Sequence, residues 1–482
     1  MRLNRIIAII ATMAFVSVAE TGFAQNGHEG KYLVTDVSWS IEGRTQEAVL
    51  VEKSRIKEGL RFPDEEKLAA FLENREQALI NERVLAEVRI EYSLGEPAAN
   101  GDIPVAVSAS IRDTWNIFVL PYFKYDSNDG FLLSLRGRDY NFFGTMEPLR
   151  VNLDYTLDEN QRSEISLDAS FEIPFSFKKK EMIWGLSQGF TVPADDAIDP
   201  TYEAKSFLEL NLPIAGFNSV GRLTQGFRTN VRGEDGEVDE NWVFDTEVQI
   251  GNNWPIGDAV EPPQWGPFAF WSATWRPDKV VDPDQRALNL GGGQSISGGR
   301  FDWIGNQRQG FTWQSEERLY YAFLENEWKH ELSASAAVFS YIWVFGASSR
   351  LKGFWDINGT STSAGSALRG VLDKRLDAEA AITLNLDAPV SLVFFEPSKW
   401  FGASWMRFFE FEGQASPFFD MALSKRAGAS FDLKEDFWYS GGLELIGYPY
   451  VARSFYVRIS AGLDLRDRSE PMELFFGLGH HY

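Results

Sequence analysis

Apolar and polar positions alternate with a period of two over most of the chain, from about residue 117 to the end. Leu149, Val151, Leu153 and Tyr155 alternate with Arg150, Asn152, Asp154 and Thr156, and Ile165, Leu167, Ala169 and Phe171 with Ser166, Asp168, Ser170 and Glu172. The pattern returns over 208–212, 244–250 and 455–466. Successive side chains of a strand point to opposite faces, so each segment has one apolar and one charged face. About sixteen such segments, give or take two, fit the chain, with 280–330 the ambiguous stretch. Segments of roughly ten residues separated by turns are the spacing of barrel strands. A soluble sandwich alternates as well. Two features favour a barrel with lipid outside and water within: aromatic residues crowd the strand ends, as at Trp115, Tyr122, Trp242, Trp254, Trp265 and Trp438, and the polar face carries full charges rather than Ser or Thr.

Residues 31–113 follow a different pattern. Val34, Val37, Trp39 and Ile41 mark a strand closing at Glu42-Gly43, and a charged, helix-prone stretch runs from Thr45 to Glu58. Pro63-Asp64-Glu65-Glu66 opens a second helix, with proline and acids where the free amides and the dipole favour them. Its buried stripe is Leu68, Phe71, Leu72, Leu79 and Ile80. Two strands, Val84 to Tyr92 and Ile103 to Ile111, complete the order β-α-α-β-β.

Composition narrows the functions open to the chain. Its 482 residues carry 46 Lys+Arg against 69 Asp+Glu, a net charge of −23, which excludes a generic nucleic-acid binder with its basic face. Without cysteine there are no disulfides, thiolate metal sites or Cys nucleophiles. The four histidines leave little for a metal centre, and the adjacent His480 and His481 point to opposite faces of a strand. Arg2 and Arg5, an apolar stretch from Ile6 to Ala19 and Gly22-Phe23-Ala24 form a secretory signal, residues 1–24. Beyond it no run approaches the roughly 18 apolar residues of a spanning helix, so a membrane can be crossed only as strands. No G-x-S-x-G, H-E-x-x-H or P-loop occurs. No catalytic, metal or cofactor-binding residue is assigned, and no cofactor is called for.

Short motifs add a resemblance. Ile41-Glu42-Gly43 closing the first strand and Gly59-Leu60-Arg61-Phe62 leading into the second helix resemble a POTRA domain, the periplasmic module of BamA/TamA-type outer-membrane assembly factors. Residues 114–482 resemble the bacterial surface antigen barrel of the same superfamily. Gly365-Ser366-Ala367-Leu368-Arg369-Gly370-Val371 stands where that barrel has an inward-folding loop with [V/L]-R-G-[F/Y], Val371 replacing the aromatic. The strand ending Asn385-Leu386-Asp387-Ala388-Pro389 and the segment Pro417-Phe418-Phe419-Asp420 match the two strands that follow. A second stretch, 290–299, is similar to the loop with Ser297 in place of arginine, but the number of strands remaining favours Arg369. Asp113-Thr114-Trp115-Asn116 marks the passage between the two parts, and Arg138 to Gly144 resembles an N-x-x-G turn between early barrel strands. The last strand, with Phe476, Leu478 and Tyr482 on one face, is similar to the C-terminal signal for barrel insertion, Tyr482 replacing the usual Phe.

The resemblance implies a mainly β protein: a C-terminal transmembrane antiparallel β-barrel of about 16 strands at 114–482 and a small N-terminal β-α-α-β-β periplasmic domain at 31–113. It implies that Leu368, Arg369 and Gly370 form a functional loop whose arginine pairs with Asp387 and Asp420. Parity agrees, since Ile382, Leu384 and Leu386 facing out send Asp387 in, and Phe411 and Phe419 facing out send Asp420 in. The implied function is non-enzymatic insertion or translocation of polypeptides at the outer membrane. POTRA docking and a lateral seam beside the first strand, with its Pro121, would carry it. Implied partners are unfolded outer-membrane or secreted polypeptides, periplasmic chaperones or accessory lipoproteins, and outer-membrane lipids; nucleic acid is not among them. The alternatives are a passive outer-membrane channel or surface barrel, and a soluble periplasmic β-protein.

Overall fold

The computed structural model describes residues 31–99, 101–126, 130–157, 162–178, 180–194, 200–214, 217–232, 238–257, 262–275, 286–357, 362–363, 368–371, 377–426, 428–451, 455–469 and 472–480. The expected signal, residues 1–24, and Tyr482 lie outside them.

The N-terminal part consists of β1 (Tyr32–Glu42), α1 (Glu47–Ser54), β2 (Arg61–Phe62), α2 (Glu65–Asn81), β3 (Leu85–Leu94) and β4 (Ile103–Asp113). Its sheet has the order β2-β1-β4-β3, with β1 and β4 parallel and the other pairs antiparallel. Helix α2 begins as its sequence dictates: the Asp64 side chain accepts a hydrogen bond from the Lys67 amide, and Glu65 and Glu66 occupy the first turn. Leu68, Leu72 and Leu79 are buried on one stripe, while Phe71 and Ile80 are only partly covered. Helix α1 stops short of Glu58 because Arg55 turns left-handed (φ 57°), and the chain then drops Ile56 into the core beside Val34, Leu68 and Val105. The two-residue β2, unforeseen in the sequence, is held by the Arg61 guanidinium forked on Asp102, 2.9 Å on each arm.

Strands from Ile117 onward form a closed barrel. It contains twenty strand segments among the described residues, and two of them, Trp254–Pro255 and Val390–Phe395, only continue the strand before. Eighteen passages around the wall remain, at the upper edge of the expected range. The stretch 290–299 proves to be wall, inside the 18-residue strand Ala287–Ile304. Its glycines make room for neighbours: a Cβ on Gly291 would stand 2.4 Å from that of Tyr320, and one on Gly293 would stand 2.6 Å from the Phe268 ring.

The wall is inverted relative to a water-soluble sheet. Ile165, Leu319, Ile382 and Leu443 are exposed, whereas Ser134, Asp420, Glu444 and Ser460 are buried. An apolar exterior around a polar interior is stable only where the exterior is not water. Among the described residues no helix is long and apolar enough to cross a membrane. The wall is also uneven. The first two strands, Ile117–Asp126 (β5) and Gly130–Asp139 (β6), have 10 residues each, Leu149–Leu157 has 9, and the last two, Phe455–Asp464 and Glu473–His480, have 10 and 8. Ala287–Ile304 and its successors Gln307–Ala322 and Glu327–Ile342 have 18, 16 and 16. Among the described residues, the closure between first and last strands therefore lies where the wall is short.

The N-terminal sheet is bolted to one rim of the barrel at two points. At the first, the buried Asn141 side chain donates to Thr45 Oγ1 (2.8 Å) and Asp113 Oδ2 (3.1 Å), and the Gln46 amide donates to the Gly144 carbonyl (2.9 Å). Arg44 forks onto Asp139. Gly144, with φ +76°, approaches so closely that a Cβ there would stand 2.1 Å from the Arg44 carbonyl oxygen. Arg138 to Gly144 is thus a docking surface as well as a turn. At the second point Arg83 lies over the Trp303 ring (4.5 Å) and donates to Gly305 O and Asn306 Oδ1, both at 2.9 Å. Leu50, Leu79 and Leu85 share one core with Tyr140 and Met146.

Candidate functional site: an arginine clasp inside the barrel

The connection from strand Phe345–Ile357 to strand Ala380–Asp387 leaves the rim opposite the N-terminal sheet and folds into the lumen. Residues 365–367 lie outside the described ones. Leu368 and Val371 are both 3% exposed and pack with Ala378, Ala381, Ala422 and Trp438, so the loop tip carries its own small apolar seat. Gly370 adopts φ +85°, and a Cβ there would stand 2.7 Å from backbone atoms of Gly462 and Leu463. Only a glycine lets the loop lie backbone to backbone against strand Phe455–Asp464. The Gly370 amide donates to the Glu473 carboxylate, at the start of the last strand.

Between these residues Arg369 projects along the wall. Its Nε and Nη2 donate to Asp420 Oδ2 and Oδ1 (2.9 and 2.6 Å), and its Nη1 donates to Asp387 Oδ1 (2.6 Å). Nη1 also lies 3.2 Å from Glu444 Oε1. The Arg369 amide adds a third bond to Asp420 (3.0 Å), and the guanidinium carbon stands 3.9 Å from the centre of the Phe418 ring. The Asp420 side chain is fully buried, and those of Asp387 and Glu444 nearly so. Two further cations complete the network: Arg350 on Asp387 (3.0 Å) and Arg458 on Glu444 (3.5 Å). Arg350, Arg369 and Arg458 thus face Asp387, Asp420 and Glu444, three charges against three. Pairing of this kind is what allows charges to stay ionised away from water.

The structure therefore brings Arg369, Asp387 and Asp420 into direct contact, with Leu368 and Gly370 as the loop's seat and hinge. Phe476 and Leu478 lie on the last strand opposite Ile459 and Val457, and Tyr482 lies outside the described residues. Sequence reasoning did not single out Glu444, Glu473, Arg350, Arg458 or the ring of Phe418. Parity could have found Glu444, which sits between the outward Leu443 and Leu445. The clasp holds no nucleophile or proton relay; what it can do is hold one loop conformation against three strands. Away from it, a cavity of about 640 Å³ occupies the other side of the lumen, lined by Arg150, Asp168, Glu203, Lys205, Arg228 and Asp245 among others.

No protein-family model matches the sequence, and no curated protein matches it. Among solved structures, the chain is similar to CdiB from Acinetobacter baumannii, with TM-score 0.50 and 11% identity over 92% of this chain and 73% of that one. Further matches are BamA from Haemophilus ducreyi lacking POTRA domains 1-3 (TM-score 0.40, 11% identity, 94% and 85% covered) and CdiB from Escherichia coli (0.41, 10%, 96% and 91%). At these identities the likeness to the Acinetobacter protein is one of fold.

Proposed function

We propose that this chain is an outer-membrane β-barrel that assists the insertion or translocation of other polypeptides, with its N-terminal sheet in the periplasm acting as a POTRA-like docking module. The observation that carries this reading is the Arg369 clasp. A loop folded back into the lumen and fastened by one guanidinium to three wall strands narrows the lumen and ties those strands together. In a barrel whose wall must open and close, it fixes a reference state. The shared fold with CdiB supports the reading at the level of architecture.

The mechanism is physical and needs no catalytic group or cofactor. An incoming extended segment would add to the free edge of β3, since β4 occupies only its other side. The Glu76 side chain already accepts a bond from the Ile90 amide there (2.7 Å), so a client strand displaces an internal stand-in. Opening would follow at the seam between β5 and the last strand, where the strands are short. Pro121 in the middle of β5 also cannot donate to a ladder. The test is depletion in the native host followed by quantification of outer-membrane and secreted proteins. Selective loss of other barrels or of a secreted client is expected; an unchanged outer-membrane proteome overturns the proposal.

The 640 Å³ polar cavity favours a second reading, a passive channel. Planar-bilayer recordings separate the two, because a channel gives a stable open conductance and a clasped assembly barrel gives low, flickering currents.

A further inference from the structure

We propose that the barrel binds a compact oxyanion, of the kind presented by a polypeptide carboxylate or a phosphate, at Arg308, between the loop clasp and the docked N-terminal sheet. Arg308 lies on strand Gln307–Ala322 and is packed among aromatic rings: its guanidinium carbon is 4.2 Å from the Phe339 ring centre, 5.2 Å from Trp303 and 5.8 Å from Phe301. Ring faces hold a cation without neutralising it. Among the described residues no carboxylate lies within 4.0 Å of Arg308 and no hydrogen bond from it is formed, so it is a half-buried charge with open donors.

The neighbouring charges do not cancel it. Asp387, Asp420 and Glu444 are already matched by Arg350, Arg369 and Arg458. Glu412, the other nearby acid, is engaged by Asn306, Ser391 and Gln414. Arg83 approaches the same Trp303 ring from the N-terminal part and adds a further cation. Each carboxylate bordering the site, Asp387 and Glu444, is thus already held by another guanidinium, and Arg308 is the cation left without one.

In front of it is a cavity of about 70 Å³, bordered by Arg308, Arg350, Arg458 and Gln414 and also by the carboxylates of Asp387 and Glu444, which Arg350 and Arg458 already hold. That volume admits a carboxylate or phosphate group. Arg350 and Arg458 are turned to Asp387 and Glu444 and their unpaired Nε atoms are buried, so Arg308 is the guanidinium that offers open donors to this cavity. Such forks match the planar or tetrahedral oxygens of an oxyanion. The site does not depend on the assembly role and can fail or stand independently of it.

The full chain in detergent micelles, titrated with inorganic phosphate at constant ionic strength, tests this through its melting temperature. A saturable rise is expected, and Arg308→Met, which keeps the packing against Phe339, should abolish it while leaving the folded barrel's gel mobility intact. Arg308→Lys, a point charge in place of a fork, should weaken binding about tenfold. A peptide ending in a free carboxylate, compared with its amidated twin, identifies the source: binding of the acid alone assigns the site to a polypeptide terminus, and binding of phosphate alone assigns it to a phosphate group. No rise with phosphate or the acid peptide in the native chain, or an equal rise in Arg308→Met, overturns the proposal.

Discussion

At the scale of single residues, Arg369 shows why arginine and lysine are not interchangeable. It serves three carboxylates and one ring through a planar fork, a geometry unavailable to an ammonium. Replacing it with alanine leaves Asp420 buried without its cation, and breaking a buried pair in this way costs roughly 3–5 kcal/mol. Arg369→Ala should therefore lower the temperature at which the barrel loses its compact gel mobility by many degrees, with Arg369→Lys falling between. Equal melting of all three proteins would mean that the clasp contributes no stability.

At the scale of elements, what could be read locally was largely legible and what depended on distant partners was not. Period-two alternation gave the lumen-facing sides of 380–387 and 411–420, because in a strand parity alone decides which face a residue takes. The capped start of α2 was legible from Asp64 and the acids after it. The seat of the N-terminal sheet was not, since Asn141 and Gly144 meet Thr45 and Arg44 across about a hundred residues of chain. Their N-x-x-G spacing resembled a turn, and nothing near them in sequence betrayed the contact. The run 290–299 looked like a loop because glycines serve loops and crowded walls equally. Docking makes its own prediction: Gly144→Ala, with a methyl forced against the Arg44 carbonyl, should leave the barrel folded but expose the linker at 114–116 to limited proteolysis. Cleavage there at the native rate would show that the sheet stays seated without this contact.

At the scale of the whole molecule, the barrel is lopsided. Among the described residues, short strands flank its closure, and its longest lie across from it. Fewer ladder bonds per strand mean a lower local opening free energy. Amide exchange should therefore be faster in 117–157 and 455–480 than in 287–342, and uniform protection around the wall would remove the case for a weak seam. The unevenness has a consequence outside the protein as well. At about 3.3 Å per residue, the 10-residue strands Ile117–Asp126 and Phe455–Asp464 only just match the roughly 9–11 residues that a tilted strand needs to traverse a bilayer, whereas the 18 residues of Ala287–Ile304 stand well above it. Lipids beside the seam must compress or the whole cylinder must lean, and either response stores elastic strain in the surrounding leaflets on that side. The membrane next to the closure is thereby made the easiest place for a new hydrophobic segment to enter.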